Sequence, residues 1–103
     1  DNAIKYLSQF DGKDENVSVT VTGLIGDSYV EKGETKKAIS YFEKAASADN
    51  KVLSPVYLKK AAIAYESLKQ PDKALENYNK IKEKYPQSSE ASDVDKYIAR
   101  LSK

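Results

Sequence analysis

Residues Gly26 to Ala45 read GDSYVEKGETKKAISYFEKA, and residues Ala62 to Ile81 read AIAYESLKQPDKALENYNKI. At an offset of 36 residues, Gly26 falls on Ala62, Tyr29 on Tyr65, Ala38 on Ala74, Phe42 on Tyr78 and Ala45 on Ile81. Small residues coincide with small or aliphatic ones and rings with rings, so the chain is an internal repeat. A partial third copy precedes them: Ala3-Ile-Lys-Tyr-Leu7-Ser-Gln-Phe10 aligns with Ala38-Ile-Ser-Tyr-Phe42-Glu-Lys-Ala45. The chain opens at Asp1, without Met and inside this copy, which reads as a piece excised from a longer protein.

Each full copy reads as two helices. In its second half, apolar residues recur every three or four positions (Ala38, Ile39, Phe42, Ala45, Ala46; Ala74, Leu75, Tyr78, Ile81), the stripe of an amphipathic α-helix. The boundary signals agree. Ser54-Pro55 reads as an N-cap followed by proline in the first turn, where the missing N–H is harmless. Gln70-Pro71-Asp72 opens the next helix in the same way, and Gly33 stands where a helix ends in a left-handed turn. Lys80, Lys82 and Lys84 suit the negative end of a helix dipole, and Tyr85-Pro86 then stops that helix. From Gln87 to Leu101, caps at Ser88 or Ser89 and a stripe of Ala91, Val94, Tyr97, Ile98 and Leu101 predict a last helix that covers the open end of the array.

One stretch points the other way. Val17-Ser-Val-Thr-Val-Thr22 alternates and is β-branched, which in isolation reads as a strand. A single strand would have no partner elsewhere in the chain, and the stretch leads directly into Gly26 and Tyr29, so we assign it to a helix with a frayed or late start.

Composition narrows the chemistry. At 103 residues the chain makes one domain, and 40% hydrophobic with 32% charged residues describes a folded chain with much wet surface. Seventeen basic against sixteen acidic residues leave a net charge of +1, which attracts neither nucleic acid nor an anionic membrane. With no Cys and no His, disulfides, thiolate nucleophiles, most zinc sites and the commonest general base are excluded. The absence of Cys fits oxidising and reducing compartments equally. No apolar run approaches the roughly 18 residues of a membrane span, and no cationic start precedes an apolar stretch as in a signal peptide.

The order small residue, two residues, Tyr, eight residues, Ala, three residues, ring resembles the tetratricopeptide repeat. Gly26, Tyr29, Ala38, Phe42 and Ala45 carry the resemblance in one copy, and Ala62, Tyr65, Ala74, Tyr78 and Pro86 in the next. It covers residues 19 to 88. Thr22 departs from it, standing where the family often has Trp, and two extra residues near Asp49 to Leu53 lengthen the usual period of about 34. The resemblance implies an all-α helical solenoid, a right-handed superhelix of antiparallel helix pairs with a C-terminal capping helix. Its parts would be a half repeat at 1–12, repeats at 19–52 and 55–88, and the cap at 89–103. Close packing explains the pattern: Gly26, Ala38, Ala62 and Ala74 would sit where backbones approach, and Tyr29, Phe42, Tyr65 and Tyr78 would fill the adjoining gaps. The closing stretch Tyr85-Pro-Gln-Ser-Ser-Glu-Ala91 is similar to repeats of bacterial envelope-associated proteins, which implies a periplasmic domain behind a membrane anchor; the alternative is cytoplasmic.

The resemblance also implies that the first helix of each pair lines a concave groove for an extended or helical peptide, with no catalysis and no cofactor. The groove residues would be Thr20, Gly23, Asp27, Val30 and Glu31 from one copy, and Val56, Lys59, Lys60, Ile63, Glu66 and Ser67 from the next. Some relatives grip a C-terminal carboxylate with Lys and Asn; here Gly23 and Asp27 supply no such pair. Lys59 and Lys60 could favour an acidic ligand, but read first as surface charge. Asp27 and Glu31 lie one helical turn apart, as paired catalytic carboxylates would, without a pocket or cation visible to tune them. Tyr6, Tyr41 and Tyr57 are left as exposed anchors. Two other readings stand beside peptide binding: helical-repeat RNA recognition, which the neutral charge disfavours, and homodimerisation through the unpartnered stripe Ile4, Leu7, Phe10.

If Ala74 marks a close helix approach, Ala74→Leu overpacks it and lowers stability by about 1–3 kcal/mol. A thermal melt of the variant identical to that of the wild type would contradict this placement.

Overall fold

The computed structural model describes residues 15–102. Five α-helices follow one another: α1 Glu15–Glu31, α2 Thr35–Ala46, α3 Leu53–Ser67, α4 Pro71–Lys84 and α5 Ser89–Leu101, with no strand among the described residues. Each helix packs on the next. In addition α1 touches α3 and α3 touches α5, whereas α2 and α4 do not meet, so α1, α3 and α5 form the inner row of a curved two-layer array. The Cα envelope measures 43 × 28 × 15 Å. The expected all-α repeat array with its capping helix is what the chain forms. The partial copy at 1–12, with Ile4, Tyr6, Leu7 and Phe10, lies outside the described residues.

Close approach between α1 and its neighbours explains why the first helix carries two glycines one turn apart. A Cβ on Gly26 would stand 2.7 Å from Cε1 of Phe42 in α2, and a Cβ on Gly23 would overlap Cε1 of Tyr57 in α3. The Phe42 and Tyr57 rings stack on each other, centroids 6.4 Å apart and planes 13° apart, so α1 accommodates a two-ring plate with its bare backbone. Both rings are buried. Tyr57 is therefore part of the core, which corrects its expected role as an exposed anchor. One copy later a stacked ring pair recurs without the glycines, Tyr78 of α4 on Tyr97 of α5 at 5.3 Å. Ala38, Ala62 and Ala74 are fully buried at the remaining crossings.

Tyr29 and Tyr65, expected as gap fillers, are only half-buried. Tyr29 stacks on Tyr41 at 5.4 Å with Lys37 over its face, and Lys73, 36 residues after Lys37, lies likewise over Tyr65. Tyr41 is thus a stacked ring and not a free anchor.

The helix ends carry both agreements and corrections. The Val17–Thr22 run is helical, and α1 already begins at Glu15, ahead of the β-branched residues expected to delay it. The Thr22 hydroxyl donates back to the Ser18 carbonyl at 2.9 Å, so the polar side chain is satisfied inside the helix. Gly33, at φ +79°, ends α1 with its N–H on the Val30 carbonyl and the Glu34 N–H on the Tyr29 carbonyl. Lys69 repeats both bonds 36 residues later at φ +59°, a left-handed turn that no glycine announces. Ser54 is not the cap of α3: it lies inside the helix, fully buried, donating to the Ala46 carbonyl and accepting from the Asn50 N–H, both at 2.8 Å. Asn50 takes that role, its Oδ1 accepting from the N–H groups of Val52 and Leu53. Pro71 opens α4, and Ser88 caps α5 through the Ala91 N–H. Ala91 and Val94 of α5 are buried, so this helix covers the last pair.

Tyrosine hydroxyls tie the rows together. Tyr65 donates to Glu43 at 2.9 Å, Tyr78 to Glu66 at 2.6 Å and Tyr85 to Asp49 at 2.6 Å. Tyr85, expected only to stop a helix, is a buried core residue. Burial, reinforced by the facing carboxylate, pushes the Tyr65 phenol up to about 12 and raises Tyr78 and Tyr85 as well.

Two outcomes follow from this packing. Gly23→Ala improves intrinsic helix propensity by up to about 1 kcal/mol, yet it meets the pinned Tyr57 ring, so a urea titration should show a net loss of about 1–3 kcal/mol. Tyr57→Leu in the same chain should relieve part of it. For pH, the native phenols hold their protons above the value near 10 of an unfolded tyrosine, so the unfolded state loses protons first. Stability is therefore unaffected by these groups below pH 10 and falls as pH rises from about 10 to about 12. Tyrosinate absorbance and circular dichroism recorded together should show ionisation and loss of helix coinciding in that window.

Candidate functional site

The inner row α1, α3, α5 presents one continuous face, because side chains one turn apart on each of these helices point away from α2 and α4. On it the charges of neighbouring helices meet. Lys60 Nζ of α3 donates to both carboxylate oxygens of Asp27 on α1, at 2.9 Å each. Lys59 Nζ donates to Asp93 of α5 at 3.1 Å and lies 5.8 Å from the Tyr97 ring centre. Arg100 of α5 bonds to one oxygen of Glu66, whose other oxygen accepts from Tyr78. These pairs are exposed or half-exposed, so each adds little stability, about 0–1 kcal/mol, but each removes a free charge from the face.

Between α1, α2 and α3 lies a groove of about 280 Å³. Val30 and Ile63, each 47% exposed, stand in its walls. The buried Phe42 and Ala64, with Asp27, Lys60, Thr35 and Ser67, line the rest. Six of the eleven expected groove residues do not line it, Gly23 and Thr20 among them. Gly23 is buried beneath the Tyr57 ring, where it serves packing and lines nothing, and the Thr20 hydroxyl faces the Tyr57 phenol. Burial raises that phenol, partly opposed by the charge of Lys60.

Five expected residues, Asp27, Val30, Lys60, Ile63 and Ser67, do converge on this groove. Lys59 and Glu66 turn toward α5, Val56 is half-buried, and Glu31 is exposed outside the groove. Asp27 faces Lys60, so the carboxylate pair envisaged with Glu31 does not operate as a unit. Thr35, Phe42 and Ala64 were missed. Phe42 reads as core from its spacing, and it is core, buried at the floor of the groove. A larger cavity of about 530 Å³ lies elsewhere, between the α2–α3 loop at Lys51 and Val52 and the start of α5 from Ser88 to Glu90, and contains none of the expected residues. Among the described residues, no cluster of three or more acidic side chains is placed to hold a metal ion, and no helix is long and apolar enough to cross a membrane.

Comparison with known proteins bears on the same residues. Two family models, each described as tetratricopeptide repeat, match residues 23–52 and 56–88, together more than half of the chain. No curated protein and no solved structure matches the chain. Both matched segments consist of a helix pair of the described array, α1 with α2 and α3 with α4, and repeats of this kind mediate protein–protein interaction. The glycine and alanine spacing, the paired helices and the two matches make the same assignment: the chain belongs to the tetratricopeptide repeat family.

Proposed function

We propose that this domain is a non-catalytic scaffold that holds a segment of a partner protein in the groove between α1 and α3. In this reading residues 19–52 and 55–88 act as two repeats, preceded by the partial copy at 1–12 and closed by the helix at 89–103. The observation that carries it is the pair Val30 and Ile63: two β-branched aliphatics, nearly half exposed, that line one concavity from two inner helices. Aliphatic side chains held on a rigid concave surface lose little entropy when a partner covers them, and they gain the burial energy of apolar area, about 25 cal/mol per Å². The lysines of this face are already paired with carboxylates, which favours a protein segment over a polyphosphate chain as the occupant.

The test is a comparison of two surface variants. Partner binding measured with purified domain should weaken by at least about tenfold for Ile63→Asp, which places an unpaired charge in the groove, and should be unchanged for Lys80→Asp on the outer face of α4. Circular dichroism establishes that both variants keep their helices. Loss of binding in Lys80→Asp with retention in Ile63→Asp would move the partner to the outer row and overturn the proposal.

A further inference from the structure

A lysine in the wall of a peptide groove ordinarily recruits a carboxylate. Lys60 is not free to do so. Its ammonium donates to Asp27, with Oδ1 and Oδ2 each at 2.9 Å, and lies over Phe42 and Tyr57, 5.8 and 5.9 Å from the ring centres. Asp27 belongs to the neighbouring inner helix and lines the same groove. It therefore occupies the place that an incoming acidic side chain or chain terminus would need. Further along the inner face, Lys59 is held by Asp93, and Arg100 by Glu66, so among the described residues these neighbouring cations are paired as well.

What the groove offers instead is apolar: Val30, Ile63 and the buried Phe42, with the hydroxyl-bearing Thr35 and Ser67 beside them. We infer that Asp27 is a specificity-determining residue: by neutralising Lys60 within the groove it makes the site select a partner-protein segment that inserts an uncharged aliphatic side chain between Val30 and Ile63. An acidic side chain is disfavoured twice, by repulsion from the Asp27 carboxylate and by having no unpaired cation to meet. A basic side chain meets Lys60 with its charge only balanced, and gains nothing over water. This inference rests on the groove binding proposed above and names the partner chemistry of that site.

The experiment uses a displayed library of random peptides as probe, selected in parallel against the wild type, Asp27→Asn and the double variant Asp27→Asn/Lys60→Gln. The wild type is expected to enrich Leu, Ile, Val or Met at one position and to deplete Asp and Glu around it. Asp27→Asn releases Lys60 and should shift selection toward acidic peptides, and an acidic peptide so selected should bind at least about tenfold more weakly to the wild type and to the double variant. Titrating the selected peptides while following the Val30 and Ile63 methyl resonances separates the two levels of the claim. Peptides that move these methyls while Asp27→Asn leaves the charge preference unchanged, or a wild-type domain that itself enriches acidic peptides there, overturn the role of Asp27 and leave the groove in place. Peptides that leave these methyls unmoved, or no enrichment against any of the three proteins, overturn the groove reading itself.

Discussion

Two glycines one helical turn apart let α1 approach α2 and α3 so closely that a ring from each takes the space a Cβ would need. Phe42 over Gly26 and Tyr57 over Gly23 leave no volume for a Cβ, and the two rings stack on each other. The contact joins three helices at once, and it sets the separation of the two inner helices whose side chains form the groove. Helix propensity alone would penalise both glycines, so their presence in a 17-residue helix is a sign of packing. The second pair solves the same problem differently. Lys59 stands 36 residues after Gly23, and the ring that stacks on Tyr78 comes from Tyr97, one turn beyond the position equivalent to Tyr57. The Lys59 ammonium then lies over that ring.

The inner row is also where charge is settled. Ion pairs run from α1 to α3 and from α3 to α5, each between residues 33 or 34 positions apart. That spacing is close to one repeat, so the residues that pair are those the curvature sets side by side. Their net effect on stability is small, and a face with its charges paired offers shape and apolar surface more than electrostatic attraction. Tyrosines add a second set of links. Each of three phenols donates to a carboxylate on another segment, which lets rings fill the narrow spaces between helices while their polar ends remain satisfied.

Much of the fold was legible in advance. Helix pairing, the left-handed turn at Gly33, the proline start of α4 and the covering role of α5 all follow from local rules that act within a few residues. The failures were also local. Ser54 before Pro55 matched a capping pattern, yet Asn50 captures the free N–H groups first and Ser54 is drawn inward by the Ala46 carbonyl. Lys69 forms the same turn as Gly33 without the residue type that would reveal it, because the two hydrogen bonds of the turn and the tertiary frame impose the conformation. The Val17–Thr22 run is a helix despite its β-branched composition, since burial against α2 and α3 outweighs a weak local preference.

The candidate site divides along the same line. The sequence by itself determined the repeat and the helical class, because a 36-residue periodicity and the spacing of small residues and rings leave few other ways to bury the apolar stripes; the inward-facing row followed only from the family resemblance. Only the tertiary structure decided which inner residues are available. Gly23 is covered by Tyr57, Phe42 borders the groove, and Lys60 is paired with Asp27. These are contacts between helices more than 30 residues apart in some cases, and their geometry depends on helix separation and curvature, quantities that no single helix encodes.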